Sequence, residues 1–177
     1  MISEKILGEQ GIHHVLEKLT QDVIHRHKII QNLILVGIQT GGAFLADRIC
    51  SNIKKILNYS VPIGSLNIAL YRDDWTKISY QPILQGTNIT FSIDDKQILL
   101  IDDVIYTGRT VRAAMDALFD IGRPGQIELA VLVDRGHREL PVQPNYCGKV
   151  IQTKRSQTVN VFLKEHDGKD EVVLDTQ

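Results

Sequence analysis

Three short, mainly apolar runs limit the fold of this chain more than any other feature. They cover Leu33–Ile38, residues 98–101 and residues 127–133, the last of which contains Glu128. Strands that are apolar on both sides are typical of a parallel sheet covered by helices on both faces. Amphipathic stretches at residues 43–58 and 110–121 separate the runs and predict connecting helices. The alternation predicts an α/β fold with a central, mainly parallel sheet flanked by helices.

The segments before and between these runs predict one more helix and one more strand. Residues 3–28 carry apolar side chains at helical spacing, which predicts a long amphipathic first helix. Leu66, Ile68 and Leu70 alternate with polar residues, which predicts a strand with one less buried side.

The remaining segments predict a small hood beside the sheet. Residues 71–92 have no clear period, and a loop of this length is usually functional or mobile. Short strands are expected near residues 159–163 and 171–174 in a tail that glycine and proline interrupt. The length of 177 residues fits one domain, residues 1–177, with the hood formed by the loop and the tail.

Composition excludes several classes of protein. Lysine and arginine together number 20, and aspartate and glutamate 21, so the net charge is −1. This balance gives no overall attraction to nucleic acid or to an anionic membrane, so any RNA or DNA role needs a local basic patch. Cys50 and Cys147 lack metal-ligand spacing and cannot form a disulfide framework. No run approaches the roughly 18 apolar residues of a membrane span, and the first residues do not resemble a signal peptide. We therefore expect a cytoplasmic protein.

Two adjacent carboxylates, Asp102 and Asp103, follow the second apolar run. A parallel strand delivers its carboxyl end to the ligand crevice of an open α/β sheet. At that end both side chains can turn toward one sugar and accept hydrogen bonds from neighbouring ribose hydroxyls, and their charge favours Mg²⁺ nearby. Such a pair alone is also typical of a solvated strand cap or of a receiver-type acidic pocket.

A hydroxyl-rich turn that opens a helix comes next and makes the assignment more specific. It consists of Thr107, Gly108, Arg109 and Thr110. Backbone N–H groups at a helix amino terminus form an anion site, and Gly108 permits close approach of the backbone. The segment lacks the Gly-Lys-Ser/Thr of a Walker A loop and the G-x-G-x-x-G of a dinucleotide fingerprint. It predicts a ribose site beside a phosphate site.

Residues 98–110 resemble the phosphoribosyl-pyrophosphate (PRPP) motif of type I phosphoribosyltransferases. Residues 70–74, 104–114 and 131–141 together resemble the pyrimidine operon attenuation regulator family (PyrR), described as RNA-binding regulators that are also uracil phosphoribosyltransferases. The resemblance extends from the first helix to about Lys149 and fades after Val150. It implies the type I phosphoribosyltransferase fold.

The resemblance implies a role for each matching position of the catalytic site. Asp102 and Asp103 would hold the ribose hydroxyls, and Arg72 would share the charge of the leaving pyrophosphate. Residues 72–89 would close over the reacting centre. The residues implied for the 5′-phosphate are Thr107, Gly108, Arg109 and Thr110, those for the pyrophosphate loop are Thr40, Gly41 and Gly42, and those for the base hood are Arg135 and His137.

One of these positions departs from the pattern. Some members of the family carry an arginine where this chain has Gly41, so one cationic contact to pyrophosphate is expected to be absent. The implied reaction converts uracil and PRPP to UMP and pyrophosphate, with Mg²⁺ bound through PRPP near the acidic pair. No Ser or Cys nucleophile is required, because a uracil nitrogen attacks the ribose.

The resemblance also implies a regulatory RNA surface controlled by UMP or UTP. The residues assigned to it are Lys18, Arg26, His137, Arg138 and Lys149. Glu17, Gln21 and Gln143 dilute this patch, so binding to a pyrimidine-operon leader mRNA is expected to be weaker than in more basic relatives. The family suggests a homodimer or homotetramer.

Two alternatives remain open at this stage. The chain could be a phosphoribosyltransferase for uracil or another base without an RNA-binding role. A purine-specific enzyme is the other alternative, and residues 134–141 discriminate against it, because that segment matches the regulator family.

Overall fold

The computed structural model describes residues 2–68 and 87–176. In chain order its elements are β1 (Ile2–Gly8), α1 (Glu9–Arg26), a 3-10 turn (Ile30–Asn32), β2 (Leu33–Ile38), α2 (Gly41–Leu57), β3 (Ile63–Leu66), β4 (Gln97–Ile105), α3 (Arg109–Ile121), β5 (Gln126–Asp134), β6 (Tyr146–Val150), β7 (Gln157–Phe162), α4 (Lys164–Asp167) and β8 (Glu171–Thr176).

The main sheet has five strands in the order β3-β2-β4-β5-β6, and every neighbouring pair is parallel. The side chains of β2 are all buried, as the continuous apolar run predicted. Alternate residues of the strands enter two cores on opposite faces of the sheet. One core contains apolar residues of α1 and α2, and the other contains those of α3. The predicted α/β class is confirmed.

A second sheet of three antiparallel strands, ordered β1-β8-β7, forms the hood. Val159, Leu163, Val172 and Leu174 of the hood pack into the core that α1 and α2 share. The tail strands expected near residues 159–163 and 171–174 are therefore present. The hood draws on both ends of the chain, because β1 is one of its edges.

The amino terminus differs from the expectation of one long helix over residues 3–28. Residues 2–8 form β1, which pairs with β8 from Ile2 opposite Thr176 to Gly8 opposite Glu171. The helix begins only at Glu9 and ends at Arg26. The free edge of β8 satisfies backbone groups along β1, and this long-range pairing overrides the local helical pattern.

Three strands differ from their expected bounds. β3 lies at Ile63–Leu66, earlier than the alternating residues suggested, and Leu70 falls outside the described residues. β4 does not end before the acidic pair but continues to Ile105. β6 was not expected, because its sequence Tyr-Cys-Gly-Lys-Val is half-exposed at the sheet edge and lacks an apolar period.

A buried polar cluster is located where β4, β5 and β6 begin, far along the strands from the acidic pair. Glu128 accepts hydrogen bonds from Tyr146 Oη and from His27 Nε2, each at 2.8 Å, and from Arg26 Nε at 3.0 Å. His27 Nδ1 lies 3.0 Å from Gln97 Oε1. The cluster joins the end of α1 to three strands. Among the helices that the structure describes, none is long and apolar enough to cross a membrane.

Candidate active site

The acidic pair lies inside the central strand of the main sheet. β4 runs between β2 and β5, and Asp102 is opposite Val131 in that ladder. Asp102 is only 6% exposed, and its Oδ1 accepts the N–H of Asp103 at 3.0 Å. Asp103 Oδ1 accepts the N–H of Val104 at 2.7 Å. These backbone bonds orient both carboxylates.

Burial has a direct electrostatic consequence for the two carboxylates. It raises the pKa of Asp102 well above its usual value, and the neighbouring charge of Asp103 raises it further. Burial also raises the pKa of Asp103, although the backbone hydrogen bond from Val104 opposes this. Within the described ranges neither carboxylate has a cationic partner. A cation brought by the ligand would therefore stabilise the ionised forms of both carboxylates.

This arrangement fits a divalent cation that the ligand carries. Two oxygen-donating side chains suit Mg²⁺, which usually keeps waters and substrate phosphates as its other ligands. Within the part of the chain described, no cluster of three or more His, Cys, Asp or Glu residues could hold a metal ion. The residues present would thus act on a metal–phosphate complex rather than cage a bare ion.

The predicted phosphate turn follows β4 directly. Gly108 has φ of 92°, and α3 begins at the next residue, Arg109. The N–H of Arg109 donates to Thr107 Oγ1 at 3.4 Å. The first N–H groups of α3 and the helix dipole therefore lie just beyond the acidic pair, as an anion site requires.

The predicted pyrophosphate loop lies beside the acidic pair. Thr40, Gly41 and Gly42 follow β2, the peptide bond between Gln39 and Thr40 is cis, and α2 begins at Gly41. A Cβ on Gly42 would be 2.2 Å from the carbonyl oxygen of Ile101. Glycine at this position therefore lets the amino terminus of α2 approach the backbone of β4. A Cβ on Gly41 would be 2.3 Å from Asp103 Oδ2, so the loop and the carboxylates are in contact range.

The two residues assigned to the base hood bind the chain segment that leads into β7. Arg135 is 6% exposed and donates to the carbonyl oxygens of Lys154, at 3.1 Å, and Gln157, at 2.8 Å. His137 Nε2 lies 2.7 Å from the carbonyl oxygen of Thr153. Both side chains therefore connect the end of β5 to the hood.

Residues 135–140, which follow β5, also pack against the phosphate turn and the neighbouring Tyr106. The guanidinium carbon of Arg135 lies 4.1 Å from the centre of the Tyr106 ring. The carbonyl oxygen of Thr107 accepts the N–H groups of Glu139 and Leu140, and Glu139 Oε2 accepts from Arg109 Nε at 3.0 Å. A change in the phosphate turn would thus be transmitted directly to residues 135–140.

The residues assigned to RNA binding do not all have the same exposure. Lys18 and Arg26 are exposed on α1, and Lys149 is exposed on β6, against which α1 packs. Arg138 is largely buried: it pairs with Asp134 and donates to the carbonyl oxygens of Val142 and Tyr106, each at 3.0 Å. The exposed cations of the described patch therefore come mainly from α1 and β6.

The structure also brings together residues that sequence reasoning missed. A cavity of about 260 Å³ has Thr40, Gly41 and Asp103 on one side and hood residues, including Asn160 and Phe162, on the other. Phe44 and Arg48 follow Gly41 on α2 at helical spacing, which is the one sequence signal that could have indicated a shared face. Arg72, assigned to catalysis, and most of the loop over residues 72–89 lie outside the described residues.

Replacing Gly108 by Val should weaken binding of the nucleotide UMP at least about tenfold. The space around Gly108 is adequate, because a Cβ would meet Leu140 and Val142 at 3.5 Å. The cost comes from φ of 92°, a conformation that a β-branched residue resists by about 1–2 kcal/mol or more. Calorimetric titration of UMP measures the effect.

Gly168→Val is the matched control, because Gly168 has φ of 73° in the hood turn and nothing lies within 4 Å of its Cβ position. It should lower stability and retain UMP binding. Equal affinity of Gly108→Val and the wild type would contradict the assignment of the phosphate turn.

Replacing Asp102 by Asn should stabilise the unliganded protein, by about 1–3 kcal/mol at pH 8. Burial raises the pKa of Asp102 above the value of about 3.9 in an unfolded chain. The folded state therefore holds the proton more tightly, and wild-type stability falls as pH rises between those two pKa values. Asn carries no such proton, so its advantage should be larger at pH 8 than at pH 5.

Urea unfolding at the two pH values measures this difference. Asp47→Asn, on the exposed side of α2, is the control and should show no comparable pH-dependent gain. A constant stability difference across pH would contradict the buried-charge interpretation.

Comparison with known proteins agrees with this geometry. Residues 3–166 match the family model described as phosphoribosyl transferase domain. The protein is 51% identical to the bifunctional protein PyrR of Desulfosudis oleivorans over 97% of this chain and 95% of that one. It is 46% identical to the bifunctional protein PyrR of Clostridioides difficile over 96% of each chain.

Solved structures show the same fold at low sequence identity. A hypoxanthine phosphoribosyltransferase of Staphylococcus aureus aligns with a TM-score of 0.73 and 20% identity, covering 98% of this chain and 92% of that one. The hypoxanthine phosphoribosyltransferase of Trypanosoma cruzi aligns with a TM-score of 0.71 and 14% identity, covering 97% and 95%. These likenesses confirm the type I phosphoribosyltransferase fold. Together with the high identity over nearly the whole chain, they show that the chain belongs to the phosphoribosyl transferase family and, within it, to the family of the bifunctional protein PyrR.

Proposed function

We propose that this protein converts uracil and PRPP to UMP and pyrophosphate and also regulates pyrimidine genes by binding leader mRNA in response to UMP or UTP. One observation carries the catalytic half. The pair formed by the buried Asp102 and the partly buried Asp103 lies on β4 between the pyrophosphate loop and the phosphate turn. A ribose held by the two carboxylates would thus have a phosphate site at one end and a pyrophosphate site at the other.

The 5′-phosphate of PRPP would bind at the amino terminus of α3. Backbone N–H groups of residues 108–110 would donate to it, together with the hydroxyls of Thr107 and Thr110. The pyrophosphate would lie against Thr40, Gly41 and Gly42, where the amino terminus of α2 supplies a second positive helix end. Mg²⁺ bound to PRPP would neutralise pyrophosphate charge and approach the carboxylates.

The reaction is a displacement at the anomeric carbon of the ribose. The bond from that carbon to the pyrophosphate oxygen breaks with its electron pair, and a uracil nitrogen forms the new bond and loses its proton. Positive charge develops on the ribose ring as pyrophosphate departs. Asp102 and Asp103 are held by backbone hydrogen bonds and need no reorganisation to stabilise that charge.

The environment of the carboxylates suits this role. In the unliganded site, burial raises the pKa of both groups and so favours their protonated forms. Binding of a magnesium–PRPP complex would supply positive charge and favour the ionised forms. Arg72 and the loop that contains it are proposed to cover the pyrophosphate, exclude water and so limit hydrolysis of PRPP.

The second candidate is a phosphoribosyltransferase without an RNA-binding role. The presence of Glu17, Gln21 and Gln143 beside the basic patch favours it over full regulation. A purine substrate has less support, because the hypoxanthine enzymes share only the fold at 20% identity or below, whereas the relatives at 46–51% identity are named PyrR.

Purified protein should form UMP from uracil and PRPP only when Mg²⁺ is present. Asp103→Asn should lower turnover by about 100-fold or more, because one preorganised charge is lost at the developing cation. Release of pyrophosphate and formation of UMP are measured together, with hypoxanthine as the alternative base. Asp47→Asn is the control and should keep wild-type turnover.

Turnover with hypoxanthine but not with uracil would overturn the choice of base. Wild-type turnover in Asp103→Asn would show that the acidic pair has only a structural role.

The protein should bind the leader RNA, and its affinity should depend only weakly on salt concentration. Each phosphate contact contributes about −0.7 to −0.9 to the slope of log affinity against log salt, and few cations of the patch are exposed. Lys18→Gln should weaken binding and reduce the slope by about 1 unit. Lys55→Gln, an equal loss of charge on exposed α2, is the control. Filter binding of a labelled leader hairpin at several salt concentrations measures both.

UMP should strengthen this binding, because the phosphate turn contacts residues 135–140 through Tyr106, Thr107 and Arg109. A steep slope would show that the three diluting residues matter little. Binding without preference for the leader sequence at any salt concentration would favour the second candidate.

The remaining proposals concern the domain organisation, the oligomeric state and the cellular location of the protein. We expect one domain over residues 1–177 that assembles as a homodimer or homotetramer in the cytoplasm. Exposed apolar side chains such as Phe119, at 60% exposure, and Val150, at 70%, support association of subunits.

A further inference from the structure

Helix α2 connects the pyrophosphate loop to the hood along one of its faces. It begins at Gly41, and Phe44 and Arg48 follow at three and seven residues, positions that lie on one side of an α-helix. The ring of Phe44 stacks on that of His166 in α4, with 6.5 Å between the ring centres and 26° between the planes. The same face then reaches the end of α4 through Arg48.

Arg48 holds two hood carboxylates at once. Its Nε and Nη2 donate to the two oxygens of Glu165 at 2.8 and 2.6 Å. Its Nη1 and Nη2 donate to the two oxygens of Asp170 at 2.9 and 2.7 Å. We call this group, Arg48 with Glu165 and Asp170, the hood clamp.

The electrostatics of the hood clamp are those of a strong, partly buried ion pair. The hydrogen bond from Arg48 lowers the pKa of Glu165. Burial raises the pKa of Asp170, but the hydrogen bond and charge of Arg48 outweigh that effect and lower it overall. The Asp170 side chain is only 8% exposed. Without Arg48, two like charges would face each other near the surface of α2.

The hood clamp also organises α4, which consists of only four residues. Asp170 Oδ1 accepts the N–H of Lys164 at 2.8 Å, and Asp167 Oδ2 accepts the N–H of Leu163 at 2.8 Å. These bonds satisfy the first backbone donors of the turn. Arg48 therefore fixes a turn whose own length cannot stabilise it.

The position of this turn matters because it forms a wall of the site. Leu163, His166 and Asp167 line the 260 Å³ cavity, opposite Gly41 and Asp103. Among the described residues the hood and the main sheet share no ladder, so no sheet hydrogen bond there sets the width of that cavity. At this end of the hood the width depends on packing and on the hood clamp.

We infer that Arg48 is a positioning residue that sets the hood wall against the pyrophosphate loop and so determines how tightly the site holds the pyrophosphate end of PRPP. This inference rests on the proposed function. Arg48 is not part of the lining of that cavity and acts through Glu165 and Asp170. The phosphate turn lies on α3, which belongs to the opposite face of the sheet, so binding of the 5′-phosphate should be independent of the hood clamp.

Steady-state kinetics for PRPP and calorimetric titration of UMP, which lacks the pyrophosphate, test the inference. Arg48→Gln should raise KM for PRPP about tenfold while the Kd of UMP changes less than about twofold. Arg48→Lys should give a smaller rise, because lysine keeps the charge but cannot donate along a planar fork to two carboxylates. Glu165→Gln keeps the pairing of Arg48 with the more buried Asp170. Its KM for PRPP should therefore lie between that of Arg48→Lys and that of the wild type. It also serves as the variant to examine if Arg48→Gln does not fold.

Lys5→Gln is the matched control. It removes an ion pair with Glu171, at 3.0 Å, that lies between β1 and β8 and makes no link to α2. It should leave KM for PRPP and the Kd of UMP unchanged. A rise in KM for PRPP in Lys5→Gln equal to that in Arg48→Gln would show an effect of general hood stability and would overturn the inference.

Two outcomes separate the inference from the proposed function. If the wild type is active and the Arg48 variants lose thermal stability but keep the wild-type ratio of KM for PRPP to the Kd of UMP, the positioning role is refuted and the proposed function is not. A wild type that makes no nucleotide from any base would refute the proposed function instead. In that case hydrogen exchange tests the inference. The amides of Leu163 and Lys164 should lose protection in Arg48→Gln but not in Lys5→Gln. Equal protection of these amides in Arg48→Gln and the wild type would overturn the inference.

Discussion

The site depends on two adjacent carboxylates in the central strand of the main sheet, Asp102, which is buried, and Asp103, which is partly buried. Asp102 and Asp103 follow four residues of β4 that are almost wholly buried. An uncompensated carboxylate in such surroundings is unfavourable by several kcal/mol, and backbone N–H groups offset only part of that cost. The apolar strands on both sides stabilise the fold well enough to tolerate it. The pair thus remains ready for a ligand that brings positive charge.

Close packing around that pair brings two helix amino termini to the carboxylates. Gly42 lets the start of α2 lie against the backbone of β4, and Gly108 turns the chain into α3. Two helix amino termini therefore approach the same carboxylates from different strands. In a parallel sheet the ends of neighbouring strands meet at one edge, so short loops suffice to gather these groups.

The hood is attached to the sheet by side chains rather than by a shared ladder. Arg135 and His137 hold the segment leading to β7, and Arg48 holds α4. Guanidinium groups suit such connections, because one planar group can bridge several acceptors. Arg135 and His137, assigned from the sequence to base contact, also bind the backbone of the segment that leads into the hood, and the wall of the 260 Å³ cavity comes from β7, Leu163 and α4.

The sequence by itself determined the class of fold and indicated the acidic pair with its phosphate turn, because each of these features depends on residues that are contiguous in the chain. Apolar runs such as Leu33–Ile38 can only be buried on both faces, and the acidic pair and its phosphate turn lie within nine residues of each other. Tertiary structure alone decided that residues 2–8 form a strand, since the available edge of β8 outweighed a helical pattern. It also decided that Arg48 meets Glu165 and Asp170, more than a hundred residues away. Local patterns carry no information about such partners, because only the packing of the hood against α2 brings these charges together.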